Sequence, residues 1–248
     1  MKRIAIIQSC YVPWRGFFDL IARCDEYVIY DQVAFSKGHW HNRNRIKTSA
    51  GLRWLTIPVS TSDRLGQPME QVEVKEGWAE AHMLQIEQAY AKAPMRASFM
   101  PTLRAQYERA GAKRLLTDIN EIFLRWLVEL LDIGVTITRD RDYALTGTRS
   151  ERVLSTCVAA GATHYVSGPS AKSYLDEEQF KAAGITVEWM EYGPYPNYPQ
   201  LHEGPFEGQV SILDALLNGQ AEMLRNTLGL AGTHDAAGAT GELVNSPK

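Results

Sequence analysis

Residues 4–47 read IAIIQSCYVPWRGFFDLIARCDEYVIYDQVAFSKGHWHNRNRIK. Ile4 to Ile7 is an unbroken apolar run, the pattern of a strand covered on both faces, and it stops at Gln8-Ser9-Cys10 before a Pro13-Trp14-Arg15-Gly16 turn. Phe17, Phe18, Ile21 and Ala22 recur at helical spacing, with Asp19 and Arg23 on the outer side, so a helix is expected to start near Trp14 or Arg15 behind Pro13. Tyr27 to Tyr30 reads as a second strand ending at Asp31. Strand, helix and strand in that order form a parallel unit with a right-handed crossover. Ligands of open α/β sheets bind beyond the carboxyl ends of the strands, so Gln8, Cys10, Tyr11, Trp14 and Asp31 are expected to line a crevice there. The free N–H groups of the first helix are a further anion site. Neither the phosphate loop GxxxxGK[ST] nor the dinucleotide fingerprint GxGxxG is present.

Working outward, residues 39–47 read HWHNRNRIK, and in an extended chain His39, His41, Arg43, Arg45 and Lys47 share one face while Trp40, Asn42, Asn44 and Ile46 share the other. Ser49-Ala50-Gly51 is turn-like and Leu52 to Val59 returns as a second strand, which gives a hairpin beside the parallel unit. Residues 60–68 read as a surface loop. A helical middle follows over about 78–132, with helices expected at Trp78 to Ala91, Pro101 to Ala110 and Leu115 to Leu131. Val135 to Thr138, Tyr165 to Ser167 and Ile185 to Met190 are short strands separated by helical patterns. The fold class is therefore α/β, a mostly parallel Rossmann-like sheet with a hairpin and a helical middle segment. One domain is expected over 1–230, followed by a flexible tail over 231–248 rich in Gly, Ala, Thr and Asn.

The 248 residues carry 26 basic and 29 acidic side chains, a net charge of −3 that gives no general attraction to nucleic acid or to anionic membranes. Cys10, Cys24 and Cys157 have no CxxC spacing, which argues against a zinc site or disulfide framework and for a reducing, cytoplasmic setting. No run reaches the roughly 20 apolar residues of a membrane span, and Met1-Lys2-Arg3 precedes too short an apolar stretch for a signal peptide.

Cys10, at a strand end near a helix start, is a candidate nucleophile with His39 or His41 as the group that takes its proton; packing as a small side chain is the plainer reading. Asp31 is a candidate base, orienting group or cap. Arg43 and Arg45 offer planar forks and Lys47 a point charge for a phosphate or carboxylate, although a basic edge strand also resists aggregation. Asn42 and Asn44 can recognise a polar ligand or hold the hairpin. Trp14 and Trp40 can stack on a sugar or base, or pack. Ser167-Gly168-Pro169-Ser170 can cradle an anion, and Tyr198 with Gln200 can complete a lid. The two histidines lack further ligands at matched spacing, so no metal is expected.

The ordered combination of Gln8, Tyr11, Pro13-Trp14, Gly16, Asp31 and Asn42-Arg43-Asn44-Arg45-Ile46-Lys47, followed by Trp78, Tyr165-Val166-Ser167-Gly168, Tyr174-Leu175-Asp176, Tyr198-Pro199-Gln200, Ser211-Ile212-Leu213-Asp214 and Asn218-Gly219, resembles the WbqC-like protein family. The resemblance implies a place in O-antigen, lipopolysaccharide or other small-molecule biosynthesis. Ser9 and Cys10 stand where the family pattern carries proline and a small polar residue. The expected function is a transferase, with acyl or aminoacyl transfer to an amino sugar or related metabolite as the first reading and a nucleotide or activated thioester as donor. Pathway enzymes or a carrier protein are the expected macromolecular partners. The first unit is also similar to nucleotidyltransferase domains, without their HxGH signature. A non-catalytic sugar-nucleotide-binding component is the third reading.

Overall fold

The structure is a computed structural model that describes residues 1–60 and 66–229. In chain order its elements are β1 (Arg3–Ile7), α1 (Arg15–Ala22), β2 (Glu26–Ile29), β3 (Arg43–Thr48), β4 (Gly51–Thr56), β5 (Val59–Ser60), β6 (Glu73–Val74), α2 (Trp78–Ala89), α3 (Arg96–Gly111), α4 (Leu116–Leu130), β7 (Thr136–Arg139), α5 (Arg149–Ala159), β8 (His164–Ser167), α6 (Glu177–Ala182), β9 (Thr186–Trp189), α7 (Ile212–Leu217) and α8 (Ala221–Thr227). Five strands form one parallel sheet in the order β7-β2-β1-β8-β9. Counted along the chain, these are its third, second, first, fourth and fifth strands. The winding direction therefore reverses between β1 and β8, and the carboxyl ends of those strands open a crevice there.

The sheet is covered on both faces, as its apolar runs require. Ala5, Tyr27 and Ile29 pack with Phe17, Phe18 and Ile21 of α1 in an apolar cluster that continues to Ile86, Leu103 and Phe123 of α2, α3 and α4. Ile4, Ile6 and Val28 point the other way, onto Val153 and Cys157 of α5 and Phe180 of α6. This is the period-two alternation of strand side chains applied to a sheet with helices on either side.

The hairpin is formed, with Arg45 opposite Trp54 and Lys47 opposite Leu52, but β3 begins at Arg43. Residues 39–42 are a turn, so His39 and His41 do not share the strand face of Arg43, Arg45 and Lys47. The return strand ends at Thr56, and Val59 pairs instead with Val74. Asp19, expected on an outer surface, is fully buried: it pairs with Arg23 and accepts hydrogen bonds from the Tyr195 hydroxyl and the Gly229 N–H. Helix α3 starts five residues before Pro101, which sits in its second turn, and α8 lacked a strong enough apolar stripe to be read from sequence. Ser211 caps α7, its hydroxyl accepting from the Leu213 N–H. The expected tail at 231–248 and most of the expected 60–68 loop lie outside the described residues. No helix among the described residues is long and apolar enough to cross a membrane.

The start of α1 is closed by the chain itself. Arg15, the first residue of α1, is 6% exposed; its guanidinium lies 4.9 Å from the Tyr195 ring centre and 5.5 Å from that of Phe206, and it donates to the Pro196 carbonyl at 2.7 Å. Trp14 packs against Tyr192 and Tyr195.

Candidate functional site

A cleft of about 810 Å³ lies at the switch point. Gln8 and Cys10 line it from the end of β1, Tyr30 from the end of β2, and Ser167 and Gly168 from the end of β8. His41 enters from the turn before β3, and Arg149 and Arg152 from the first two turns of α5.

The position of His41 follows from a buried polar network. Ser9, just past β1, gives its N–H to Asp31 Oδ1 at 2.9 Å and its hydroxyl to Asp31 Oδ2 at 2.7 Å, and Thr117 of α4 donates to the same Oδ2 at 2.5 Å. Asn120, one turn along α4, donates through Nδ2 to Ser9 Oγ at 3.0 Å and to the His41 carbonyl at 2.9 Å. The His41 ring closes the circuit, its Nδ1 lying 3.1 Å from the Ser9 carbonyl. A carbonyl only accepts, so Nδ1 carries the proton and Nε2 keeps its lone pair. Burial lowers the His41 pKa below the ordinary 6.5, against the Ser9 hydrogen bond and the Asp31 charge that raise it, and the ring is neutral near pH 7.

Cys10 has the opposite electrostatics. Burial, with the Asp31 charge behind it, pushes the thiol up to about 12, and its hydrogen-bond contact is the Gln8 carbonyl at 3.7 Å rather than a histidine. The thiolate that a nucleophile needs is disfavoured here.

Several residues expected in the crevice have other work. Asp31 is 2% exposed and holds Ser9 and Thr117 instead of facing the cleft. Tyr11 turns into the core, where its hydroxyl meets His82 Nδ1 at 2.8 Å and the Tyr107 hydroxyl at 2.5 Å. The chain reverses at Val12, whose φ of 35° is strained for a β-branched residue. Asn44 clamps that turn through Nδ2 to the Tyr11 and Val12 carbonyls, and Ser211 Oγ donates to the Val12 carbonyl as well. Asn42 donates to the Ile57 carbonyl within the hairpin. Trp14 is in the aromatic cluster at α1, outside the cleft lining.

The basic face of β3 is also outside it. Arg43 stacks on Trp54 at 4.3 Å, Arg45 lies 5.5 Å from both Trp40 and Trp54, and Lys47 is buried with its ammonium on Gln200 Oε1 and the Pro205 carbonyl. Tyr198 and Gln200 bind Asp214 beneath, so they tie the 190–206 loop to α7 and do not close over the cleft. His39 is exposed and its ring centre is 6.0 Å from that of His41. Gln8, Cys10, His41 and Ser167 are the expected site residues that the fold brings together. Arg149, Arg152 and Tyr30 escaped the sequence reading. Thr148-x-x-Glu151 is a capping-box pattern that marks the start of α5, but nothing local tells that this helix start faces β1.

Gln32 connects the cleft to a buried acid. Its N–H donates to Asp140 Oδ2 at 2.8 Å and its Oε1 accepts from Arg152 at 2.6 Å. Burial raises the Asp140 carboxyl from 3.8 to about 6. A raised acid favours the folded state while protonated in both states and loses that contribution as pH climbs from about 4 through about 6. Asp140→Asn, which keeps a carbonyl for the Gln32 N–H, is expected to stabilise the protein by about 1–2 kcal/mol at pH 7.5 and not at pH 4. Urea unfolding at the two pH values measures this, and an equal effect at both contradicts it.

The family model described as the WbqC-like protein family matches residues 8–226. An uncharacterized protein of Mycobacterium tuberculosis is 43% identical over 223 residues, which span 90% of this chain and 96% of that protein. The comparison with solved structures gave no match.

Proposed function

Because the chain belongs to the WbqC-like protein family, we propose that it is a biosynthetic transferase whose small, activated substrate occupies the switch-point cleft. Family membership supports the general biosynthetic role. The observation that carries the reaction class is His41, a neutral imidazole fixed through Nδ1 with Nε2 free in the wall of the cleft. Such a group suits removal of a proton from an acceptor amine or hydroxyl as it attacks.

In acyl or aminoacyl transfer the acceptor nitrogen or oxygen forms the new bond to the donor carbonyl carbon, the donor C–S bond breaks, and the thiol leaves with the proton held by His41. The high Cys10 pKa favours this direct displacement over a thioester on the protein. The parallel order β7-β2-β1-β8-β9, with its reversal beside β1, favours a nucleotide-linked donor as the second reading, with nucleotidyl transfer or sugar-nucleotide binding at the same crevice. Residues 1–230 act as one domain in this proposal, in the cytoplasm, in assembly of cell-surface glycans such as O-antigen and lipopolysaccharide or of a natural product, with a pathway enzyme or carrier protein as partner.

The test is mass spectrometry of products after incubation with acyl thioesters, sugar nucleotides and amino-sugar acceptors. Once a turned-over pair is found, His41→Asn is expected to slow it at least a hundredfold, about 2.7 kcal/mol, while Cys10→Ser stays within about threefold. Loss with Cys10→Ser and retention with His41→Asn would instead establish the covalent route. Binding of sugar nucleotides without any product would leave the non-catalytic reading.

A further inference from the structure

We infer that the α5 side of the cleft is a binding site for a phosphate or diphosphate group, with Arg152 as its principal contact and Arg149 as a second charge. This rests on the reading of the cleft as the substrate site. Among the described residues, the lining holds two arginines and no Asp, Glu or Lys, in a protein whose net charge is −3. An uncompensated pair of positive charges in a concave, partly apolar wall focuses positive potential on its interior.

Arg152 is held ready. Its Nη2 donates to Gln32 Oε1 at 2.6 Å, which fixes the plane of the guanidinium, while its Nε–H is buried and has no hydrogen-bond partner. A buried donor left unpaired is unfavourable, and an acceptor oxygen on a molecule bound in the cleft would satisfy it. Asp140 turns its carboxylate to the Gln32 backbone N–H, so Gln32 stands between acid and guanidinium. Arg149 is exposed at the start of α5 with φ 49°.

The N–H groups of α5 itself are not the basis of this site. Thr148 and Glu151 cap that end. The discriminating feature is charge. Two guanidinium groups without an opposing carboxylate match a dianionic phosphate or a diphosphate better than one singly charged carboxylate, and a guanidinium fork fits phosphate oxygens. Tyr30, Tyr165 and Tyr174 supply an apolar body to the same cleft for the rest of the molecule.

The experiment is calorimetric titration of the full chain with inorganic pyrophosphate, and with succinate as a carboxylate of comparable charge. Saturable pyrophosphate binding is expected, weakened at least tenfold by Arg152→Gln and severalfold by Arg149→Gln, with succinate binding at least tenfold more weakly. Arg149 is on the surface, so its variant reports even if Arg152→Gln lowers the melting temperature. Absence of pyrophosphate binding, binding indifferent to both variants, or succinate binding as well as pyrophosphate overturns the inference. His41→Asn separates this from the transferase reading: pyrophosphate binding is expected to persist within twofold in that variant, whatever becomes of turnover.

Discussion

Asp31→Ala is expected to destabilise the protein by about 3–5 kcal/mol, enough to lower the melting temperature by many degrees or to prevent folding at 37 °C. The carboxylate accepts three hydrogen bonds at 2.5–2.9 Å, from the Ser9 N–H, the Ser9 hydroxyl and the Thr117 hydroxyl. All of these residues are at most 2% exposed, so water cannot replace the lost acceptor. Each orphaned donor costs about 1–3 kcal/mol, less than additively because the three share one acceptor group. Thr117→Val removes one donor along with its need and should cost about 1 kcal/mol. Chemical denaturation of the two variants gives the comparison, and an Asp31→Ala loss no larger than that of Thr117→Val would falsify the description of Asp31 as the hub of this network.

The second large effect is a loss of stability in acid, carried by His82. Its Nε2 lies 3.2 Å from the Thr56 carbonyl and therefore donates, which leaves Nδ1 to accept from the Tyr11 hydroxyl at 2.8 Å. The ring is 3% exposed, and burial lowers its pKa to about 4 against an ordinary 6.5. For a base with a depressed folded pKa, the stabilising contribution is complete above pH 6.5 and is lost as pH falls through the folded value. Between pH 7 and pH 4 this amounts to about 3 kcal/mol. His82→Gln can keep both hydrogen bonds without titrating, so its stability is expected to fall by about 3 kcal/mol less than that of the parent over the same interval. Parallel pH dependences for the two proteins would show that His82 does not carry the effect.

The parts of this fold that were legible in sequence are those that depend on local periodicity. The run from Ile4 to Ile7, the stripe of Phe17, Phe18 and Ile21, and the strand before Asp31 gave the parallel unit, and alternation gave the register of Arg43, Arg45 and Lys47 on one face of the hairpin. What those faces meet was not legible. Tyr11 and Cys10 are neighbours in sequence, yet the reversal at Val12 sends Tyr11 to His82 and leaves Cys10 at the cleft; a positive φ at a valine has no sequence signature. The basic strand suggested a ligand face because charge could be read, whereas the indole of Trp54 and the carbonyls at Gln209 and Pro205 that occupy those cations could not. Arg149 and Arg152 come to β1 from more than 130 residues away, through the order of the strands. Asp31, a candidate base, orienting group or cap by its place at a strand end, is buried under α4, where its carboxylate holds Thr117 and Ser9; that burial has no local sequence signal.

The closed start of α1 bears on how a substrate lies in the cleft. In many nucleotide-binding sheets the first helix faces the phosphate. Here that helix end is plugged by Arg15, packed among Tyr195, Tyr198 and Phe206 and tied to Pro196. On the proposed reading, anion recognition falls instead to Arg149 and Arg152 in the other half of the sheet, and proton removal to His41 in the first half. The cleft thus has a polarity. A molecule bound as proposed lies with its charged end toward α5 and its reacting end toward the turn after β1, and exchange of one end for another chemical group is expected to leave the grip on the other intact.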